Sequence, residues 1–559
     1  MEKNKAKKPL SPMGEFYRGL SAAKSIEEIK TVYSTFAASA TSDERRLACL
    51  LCALCAYRLS TGSTCLLPQS LTAAALNFAK EFGEAPTDAE LAATLKQAIK
   101  NDTIIGHSIP GTIFLQIPKD SYDESVLIEA LGAFLSAPKT LDFTPADMEK
   151  AVDFILKKNK AELSSEQRTA ILTAVSSPVS TISGEPGCGK TFAINVLIRA
   201  IKQLFPDARV LLAAPTGKAA SRLSETTGEP AQTLHSLLNM RYEGDWKFCV
   251  ENSISADMII VDESSLLSLS LASRLFYMAS PSTRLVFVGD SNQLPSIDPG
   301  SVLSDLEHSG IVPVTTLTTC YRQGSDAKAI TNAASIVSSS ASSCWWPFPS
   351  ATTLDSPLHF IEANSDTTAQ NTILNVVEQL IAKGISPRDI QVLSPTKKRT
   401  LGTVALNTKL RGLLNPSGTG TNETFCIGDK IVCTENMPEN GVTNGDIGQV
   451  LFVKRRSVTA RFSGGAVELP KSKVELAYAL TVHKAQGSEY PVVVLALSMK
   501  MQPLLYKSML YTALTRAKQK VVVVGSKATV MEAVSTDKNK ERLSMLSWLL
   551  KEHCSQSAA

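Results

Sequence analysis

A chain of 559 residues is long enough for three or more domains, and its apolar content supports several cores. Lys plus Arg exceed Asp plus Glu by 57 − 53 = 4, an excess that neither demands nor excludes a polyanionic partner. The longest apolar stretches, Leu47 to Tyr57 and Val492 to Leu497, are far too short to span a bilayer, and the basic start Met1 to Lys8 leads into no apolar run. A cytoplasmic protein with reduced thiols and no membrane partner is expected.

Residues 1–150 read as a helical N-terminal domain, with Ala- and Leu-rich segments at Glu44 to Leu59, Ala73 to Phe82 and Ser125 to Leu135. Cys49, Cys52 and Cys55 form a C-x-x-C-x-x-C run. It lacks the nearby fourth cysteine of an iron–sulfur ligand set, and small apolar neighbours at helical spacing favour a buried stripe.

From Leu163 the texture changes. Ser164 or Ser165 caps a helix that carries Gln167, whose amide matches the edges of adenine or is an ordinary exposed helix glutamine. Val179 to Thr191 then fits G-x-x-x-x-G-K-[ST] without a gap. In such a loop Gly184, Glu185, Pro186, Gly187, Cys188 and Gly189 bring backbone N–H groups onto a triphosphate. Lys190 supplies charge to the β- and γ-phosphates, and the Thr191 hydroxyl ligates Mg²⁺. The apolar run Phe192 to Phe205 makes a helix whose N-terminus faces the phosphates.

Arg209 to Ala214 reads as a strand leading into Pro-Thr-Gly-Lys-Ala-Ala-Ser-Arg-Leu. Thr216 and Lys218 in that turn suit a phosphodiester backbone. His235 is open between a DNA contact and a helix-face histidine, in a short region near 235–257 with room for a small insertion. Met258 to Glu263 is a hydrophobic strand ending in two carboxylates, Asp262 for Mg²⁺ and Glu263 as general base. Arg284 to Asp290 is a further strand, and Gln293 beyond it can touch a γ-phosphate and link nucleotide state to grip. Arg322, in Cys-Tyr-Arg-Gln, is placed to reach a triphosphate from outside the first α/β unit.

Trp345 and Trp346 sit in a Ser- and Pro-rich interval and are read as covering a core edge. An α/β pattern resumes with Ile373 to Lys383 and Ile390 to Leu393. Between about 420 and 476 it gives way to short β-runs with glycine turns, a small barrel with a basic edge at Lys454, Arg455 and Arg456. The pattern returns with strand Val492 to Leu497, then helix Leu510 to Lys518 presenting Arg516. Arginines on a second unit imply a nucleotide sandwiched between two.

The ordered set, from Gly184–Thr191 through Ala214–Ala220, Asp262–Glu263, Gly289–Leu294, Tyr321–Arg322 and Val-His-Lys-Ala-Gln-Gly-Ser-Glu to Thr515–Arg516, resembles the motifs of superfamily 1 helicases. The wording Ala-Pro-Thr-Gly-Lys-Ala-Ala, Thr-Leu-His-Ser-Leu-Leu and Gly-Asp-Ser-Asn-Gln-Leu resembles the RecD family within them. The resemblance implies an α/β fold of two RecA-like P-loop motor domains, 160–325 and 326–559, the second carrying an SH3-like barrel insertion. It implies ATP-driven 5′ to 3′ movement on single-stranded DNA, with RecB and RecC as partners in processing double-strand ends. By motif it places Gln167 at adenine, Glu489 near the ribose, Gln293, Arg322 and Arg516 at the γ-phosphate, and Thr216, His235, Thr481 and His483 along the DNA. Gly62 to Pro68 resembles the Cys-Leu-Pro stretch of the family's amino-terminal domain, the part expected to dock on RecC. No acid-acid-lysine nuclease constellation is seen, so exonuclease activity would belong to the assembled complex. A stand-alone helicase on DNA or RNA is the alternative, and a non-motoring subunit with a structural ATP site is the alternative from another class.

Overall fold

The computed structural model describes residues 11–239, 254–321, 325–339, 348, 354–416 and 424–557. Arg322, the paired tryptophans Trp345 and Trp346, and residues 240–253 of the expected small insertion lie outside the described residues.

Two parallel sheets organise the chain. The first has the strand order Ala231–Thr233, Val210–Ala214, Met258–Val261, Arg284–Gly289, Val179–Gly184, Val314–Leu317. Val179–Gly184 and Arg284–Gly289 are buried at every position, as a central parallel strand between helical layers requires. The second sheet runs Ala479–Thr481, Ile390–Ser394, Tyr490–Ala496, Ala517–Gly525, Leu358–Glu362, also all parallel. In both sheets the polar loops leave the carboxyl ends of the strands, where ligands of open α/β sheets bind.

Residues 430–476 contribute a five-stranded antiparallel sheet with its own core of Phe425, Ile431, Val450, Val458 and Leu469. Its order is linear, from Gly465–Pro470 to Val474–Leu476, and these edge strands make no ladder with each other among the described residues. Lys454, Arg455 and Arg456 are exposed at one turn, with Lys454 paired to Glu468 at 2.6 Å.

The N-terminal part is mostly helical. Its helices include Ser42–Thr61, Asp88–Lys100 and Pro145–Asn159, each started by a threonine capping box. A hairpin, Ile105–Ile109 with Thr112–Gln116, interrupts them. Cys49 and Cys52 are buried in the apolar core, and burial raises their thiols and that of Cys55, the last to about 12. No group of three or more metal-ligating side chains occurs among the described residues.

This part is not set apart from the first sheet. Helix Pro118–Ser136 shares a core with it, Phe134 meeting the Phe276 ring edge-on at 5.7 Å. The last helix, Leu546–Ser557, returns to the same core through Leu546 and Leu550. The stretch from Gly62 to Leu66 is internal. Thr64 N–H donates to Leu543 O and Gly300 N–H to Gly62 O, both at 2.9 Å, and residues 63–66 are at most 3% exposed. Residues 63–66 therefore pack inside the chain, while Leu67 and Pro68 of the same stretch are half-buried.

Candidate nucleotide site and DNA edge

The nucleotide site is built on strand Val179–Gly184, a glycine loop and helix Lys190–Leu204. A Cβ on Gly184 would lie 2.7 Å from Leu317 O of the neighbouring strand, so only glycine lets the chain leave the sheet there. Gly187 and Gly189 take φ of +92° and +78°, and the Cys188 N–H between them donates to Glu185 O at 3.3 Å. Lys190 Nζ donates to Gly184 O and, at 3.1 Å, to Glu185 O. Ammonium and loop thus hold each other where phosphate oxygens would compete.

Gln167 is 2% exposed and sits against this loop. Its Oε1 accepts from Ser164 N–H at 3.1 Å, completing a capping box, and its Nε2 donates to Cys188 O at 3.2 Å. Both ends of the amide are engaged by backbone, so reading a base would require it to leave one of them.

Asp262 and Glu263 follow the buried strand Met258–Val261. Glu263 takes a left-handed backbone, φ +52°, and its N–H donates to Asp262 Oδ1 at 2.9 Å. Burial, then the Glu263 charge, pushes the Asp262 carboxyl up to about 6, against the pull of Lys190 and Arg222.

From the next strand comes Asp290, 2% exposed and raised by burial, with Lys190 opposing. Tyr511 Oη donates to its Oδ2 at 2.8 Å and Gln293 Nε2 at 3.2 Å. Gln293 Oε1 in turn accepts from Arg516 Nη2 at 3.1 Å. Arg516, itself 2% exposed, also donates from Nη1 to Ser488 O at 3.2 Å. Gln293 belongs to the first sheet's edge and Tyr511 and Arg516 to the second's, so one buried network closes the cleft between them. Asp290 and Tyr511 were not among the expected site residues. The signal for Asp290 is Gly-Asp at the end of a strand flanking the phosphate strand, whereas that for Tyr511 is absent without the fold.

Glu185, in the glycine loop, accepts from Ser335 Oγ at 2.6 Å, and burial raises it. Tyr321 N–H donates to Gly187 O at 2.9 Å, which brings the segment before Arg322 to the loop. Glu489 is paired across the cleft, its Oε2 lying 3.0 Å from Arg222 Nη2 and 3.6 Å from Lys518 Nζ.

On the expected DNA edge, Thr216 caps helix Gly217–Thr227, accepting from Ala219 N–H at 3.3 Å. Lys218 turns to the antiparallel sheet, donating to Gly445 O at 3.3 Å, and burial lowers it to about 8. His235 is exposed on the short helix Leu234–Leu237. Thr481 Oγ1 accepts from Lys484 N–H at 3.2 Å, and His483 is lowered by burial. Thr481 ends strand Ala479–Thr481 and Thr216 lies two residues past strand Val210–Ala214, each at the carboxyl edge of its own sheet.

Comparison with known proteins agrees with this geometry. The AAA domain model matches residues 162–342, and the UvrD-like helicase C-terminal domain model matches residues 476–524. The RecBCD enzyme subunit RecD of Mycolicibacterium smegmatis is 31% identical over 408 residues, 66% of this chain and 72% of that protein. The chain belongs to the RecD family. A second relative, the RecBCD enzyme subunit RecD of Haemophilus influenzae, is 26% identical over 86% of this chain and 90% of its own length. The ATP-dependent RecD2 DNA helicase of Deinococcus radiodurans is 32% identical over 430 residues, and the chain spans 57% of that protein's length. Among solved structures, Pif1 helicase from Bacteroides in complex with ADP-AlF3 and ssDNA is similar at 17% identity, covering 71% of this chain and 98% of that one, with a TM-score of 0.44. The AAA match spans the strand, glycine loop and helix described above, and this family implies that the chain binds ATP.

Proposed function

We propose that the chain is an ATP-driven motor that moves 5′ to 3′ along single-stranded DNA and unwinds duplex ends, in a cytoplasmic assembly with RecB and RecC. In this reading residues 160–325 and 326–559 are two RecA-like motor domains behind a helical N-terminal domain, 1–150, and the antiparallel sheet is an SH3-like insertion. The observation that carries it is the buried Arg516–Gln293 bond at 3.1 Å joining the two sheets beside the glycine loop. A nucleotide bound there lies between two bodies that its hydrolysis can separate.

The Thr191 hydroxyl and the Asp262 carboxylate fit a hard divalent cation. Asp262 is a half-buried acid beside a second acid, and a cation would relieve what raises it. Thr191 and Asp262 would hold Mg²⁺, which would supply positive charge to offset the negative charge developing on the phosphates. Lys190 exchanges its carbonyl acceptors for phosphate oxygens. Glu263, oriented by its left-handed backbone, accepts the proton of the attacking water. Arg516 and Arg322 donate to the γ-phosphate, and Gln293 reports its loss to Asp290 and Tyr511. If Thr216 and Thr481 hold the strand alternately as the cleft opens and closes, each ATP moves the chain along DNA.

The test is ATP hydrolysis by the purified chain with and without single-stranded DNA, beside unwinding of duplexes with either a 5′ or a 3′ tail. DNA-stimulated hydrolysis and unwinding from the 5′ tail alone are expected; unwinding from the 3′ tail overturns the polarity. Lys190→Gln is expected to abolish hydrolysis, and a wild-type rate in that variant would remove the ATP site from the glycine loop. RecB and RecC are expected to co-purify with the chain.

A further inference from the structure

We infer that Arg222 is a positioning residue that couples DNA grip to catalysis by holding the turn on which Arg516 is oriented. The inference rests on the helicase reading above. Three observations place Arg222 in that role. First, it lies on helix Gly217–Thr227, whose N-cap is Thr216, so it shares a rigid element with the expected DNA contact. One turn of helix separates Ala219 from Arg222, and residues three apart share a face.

Second, this face meets the second sheet's turn Gly487–Ser488–Glu489. Arg222 Nη2 lies 3.0 Å from Glu489 Oε2, and its Nη1 donates to Gly487 O at 3.5 Å. Gly487 takes φ +71°, and a Cβ there would stand 3.8 Å from Ala219, so helix and turn are in close register. Third, the same turn is what Arg516 uses from the opposite side. Arg516 Nη1 donates to Ser488 O at 3.2 Å, and Tyr490 N–H donates to Arg516 O at 2.8 Å. The turn is thus pinned between two arginines, one from each motor, and Arg516 continues to Gln293.

Thermodynamically the pair itself is modest, since Arg222 is 44% exposed and an exposed ion pair contributes little to stability. Its effect is geometric. A shift of Thr216 on binding DNA moves helix Gly217–Thr227 as a body. Through Glu489 and Gly487 that motion reaches the carbonyl of Ser488 and sets the angle of the Arg516 guanidinium. Glu489 therefore acts as an ion-pair hub between the motors, its carboxylate paired with both Arg222 and Lys518.

The experiment is a double-mutant cycle on the full chain with Arg222→Ala, Glu489→Gln and the pair, reading kcat and KM for ATP at saturating and at zero single-stranded DNA, with thermal melts alongside. Each single change is expected to lower the DNA-stimulated kcat on the order of tenfold, as misorientation of a catalytic group does. KM for ATP stays within about twofold and melting is unchanged, because a surface ion pair carries little stability. The double variant is expected to lose no more than either single one, and Arg222→Lys, which keeps the charge but not the fork, recovers part of the rate. Additive losses, or an Arg222→Ala chain stimulated by DNA as fully as wild type, overturn the inference. A wild-type chain that DNA does not stimulate would instead fail the helicase reading itself.

Discussion

At the scale of single residues, burial favours the neutral form of two acids between the N-terminal helices and the first sheet, Glu124 and Asp305. Glu124 is fully buried; Thr64 Oγ1 donates to it at 2.9 Å and Gln116 Nε2 at 3.0 Å. Burial, its largest cause, pushes the carboxyl from 4.5 up to about 8. Nearby Asp305 is pushed up to about 7, again by burial first. A carboxyl raised in the folded state keeps a proton that the unfolded chain has already released. Its contribution is therefore most favourable below the unfolded value and declines as pH rises from about 4.5 toward about 8. Glu124→Gln keeps the shape and removes the titration. The thermal midpoint of the variant relative to wild type is expected to climb as pH is raised through that window, measured by circular-dichroism melts at several pH values. Parallel curves for the two proteins would show that Glu124 is ionised in the fold.

At the scale of elements, the interlock of glycine loop and capped helix is the part most readable from sequence, and the part most open to a single change. The strand, loop and helix are written in Val179 to Thr191, because a β-branched run, three glycines and Lys-Thr admit few other structures. The Ser164 cap is legible for the same local reason. The hairpin Ile105–Gln116 is signalled by Pro110–Gly111 between apolar runs, but the helical texture around it masks the turn. Partners distant in sequence are not legible at all. Nothing local says that Glu489 meets Arg222, that Lys218 turns to Gly445, or that Thr64 bonds to Leu543. Gly189 shows how local and long-range demands meet. It takes φ +78°, and a Cβ on it would fall 2.3 Å from Gln167 Nε2. Gly189→Ala forces a left-handed alanine, at a cost of about 1–2 kcal/mol, and pushes the amide off Cys188 O. A lower melting point together with a raised KM for ATP is expected; a lower melting point with KM unchanged would detach Gln167 from nucleotide binding.

At the scale of the whole molecule, the helical N-terminal part and the first motor share a core, so they are expected to unfold together. Phe134 on helix Pro118–Ser136 is fully buried, and Phe276 carries the contact onward by stacking on Phe287 at 5.7 Å. Phe287 lies on strand Arg284–Gly289, which pairs with the phosphate strand and delivers Asp290 to the nucleotide cleft. The C-terminal segment tightens the same junction. Arg542 Nη1 donates to Ser296 O at 2.9 Å and its Nη2 to Asp298 O, in the loop that follows Gln293. A partner gripping the N-terminal helices would therefore pull on the Gln293 loop through backbone and aromatic contacts. Phe134→Ala should expose this continuity. Truncating a buried phenylalanine costs about 3–5 kcal/mol, the lost transfer energy plus the cavity left behind. If the parts form one cooperative unit, chemical denaturation of the variant stays a single transition at lower denaturant, and ATP hydrolysis is lost in that same transition. Were the curve instead to split, with helix melting first and hydrolysis surviving it, the N-terminal part would be an independent domain. Partner binding there would then have to reach the motor by another route.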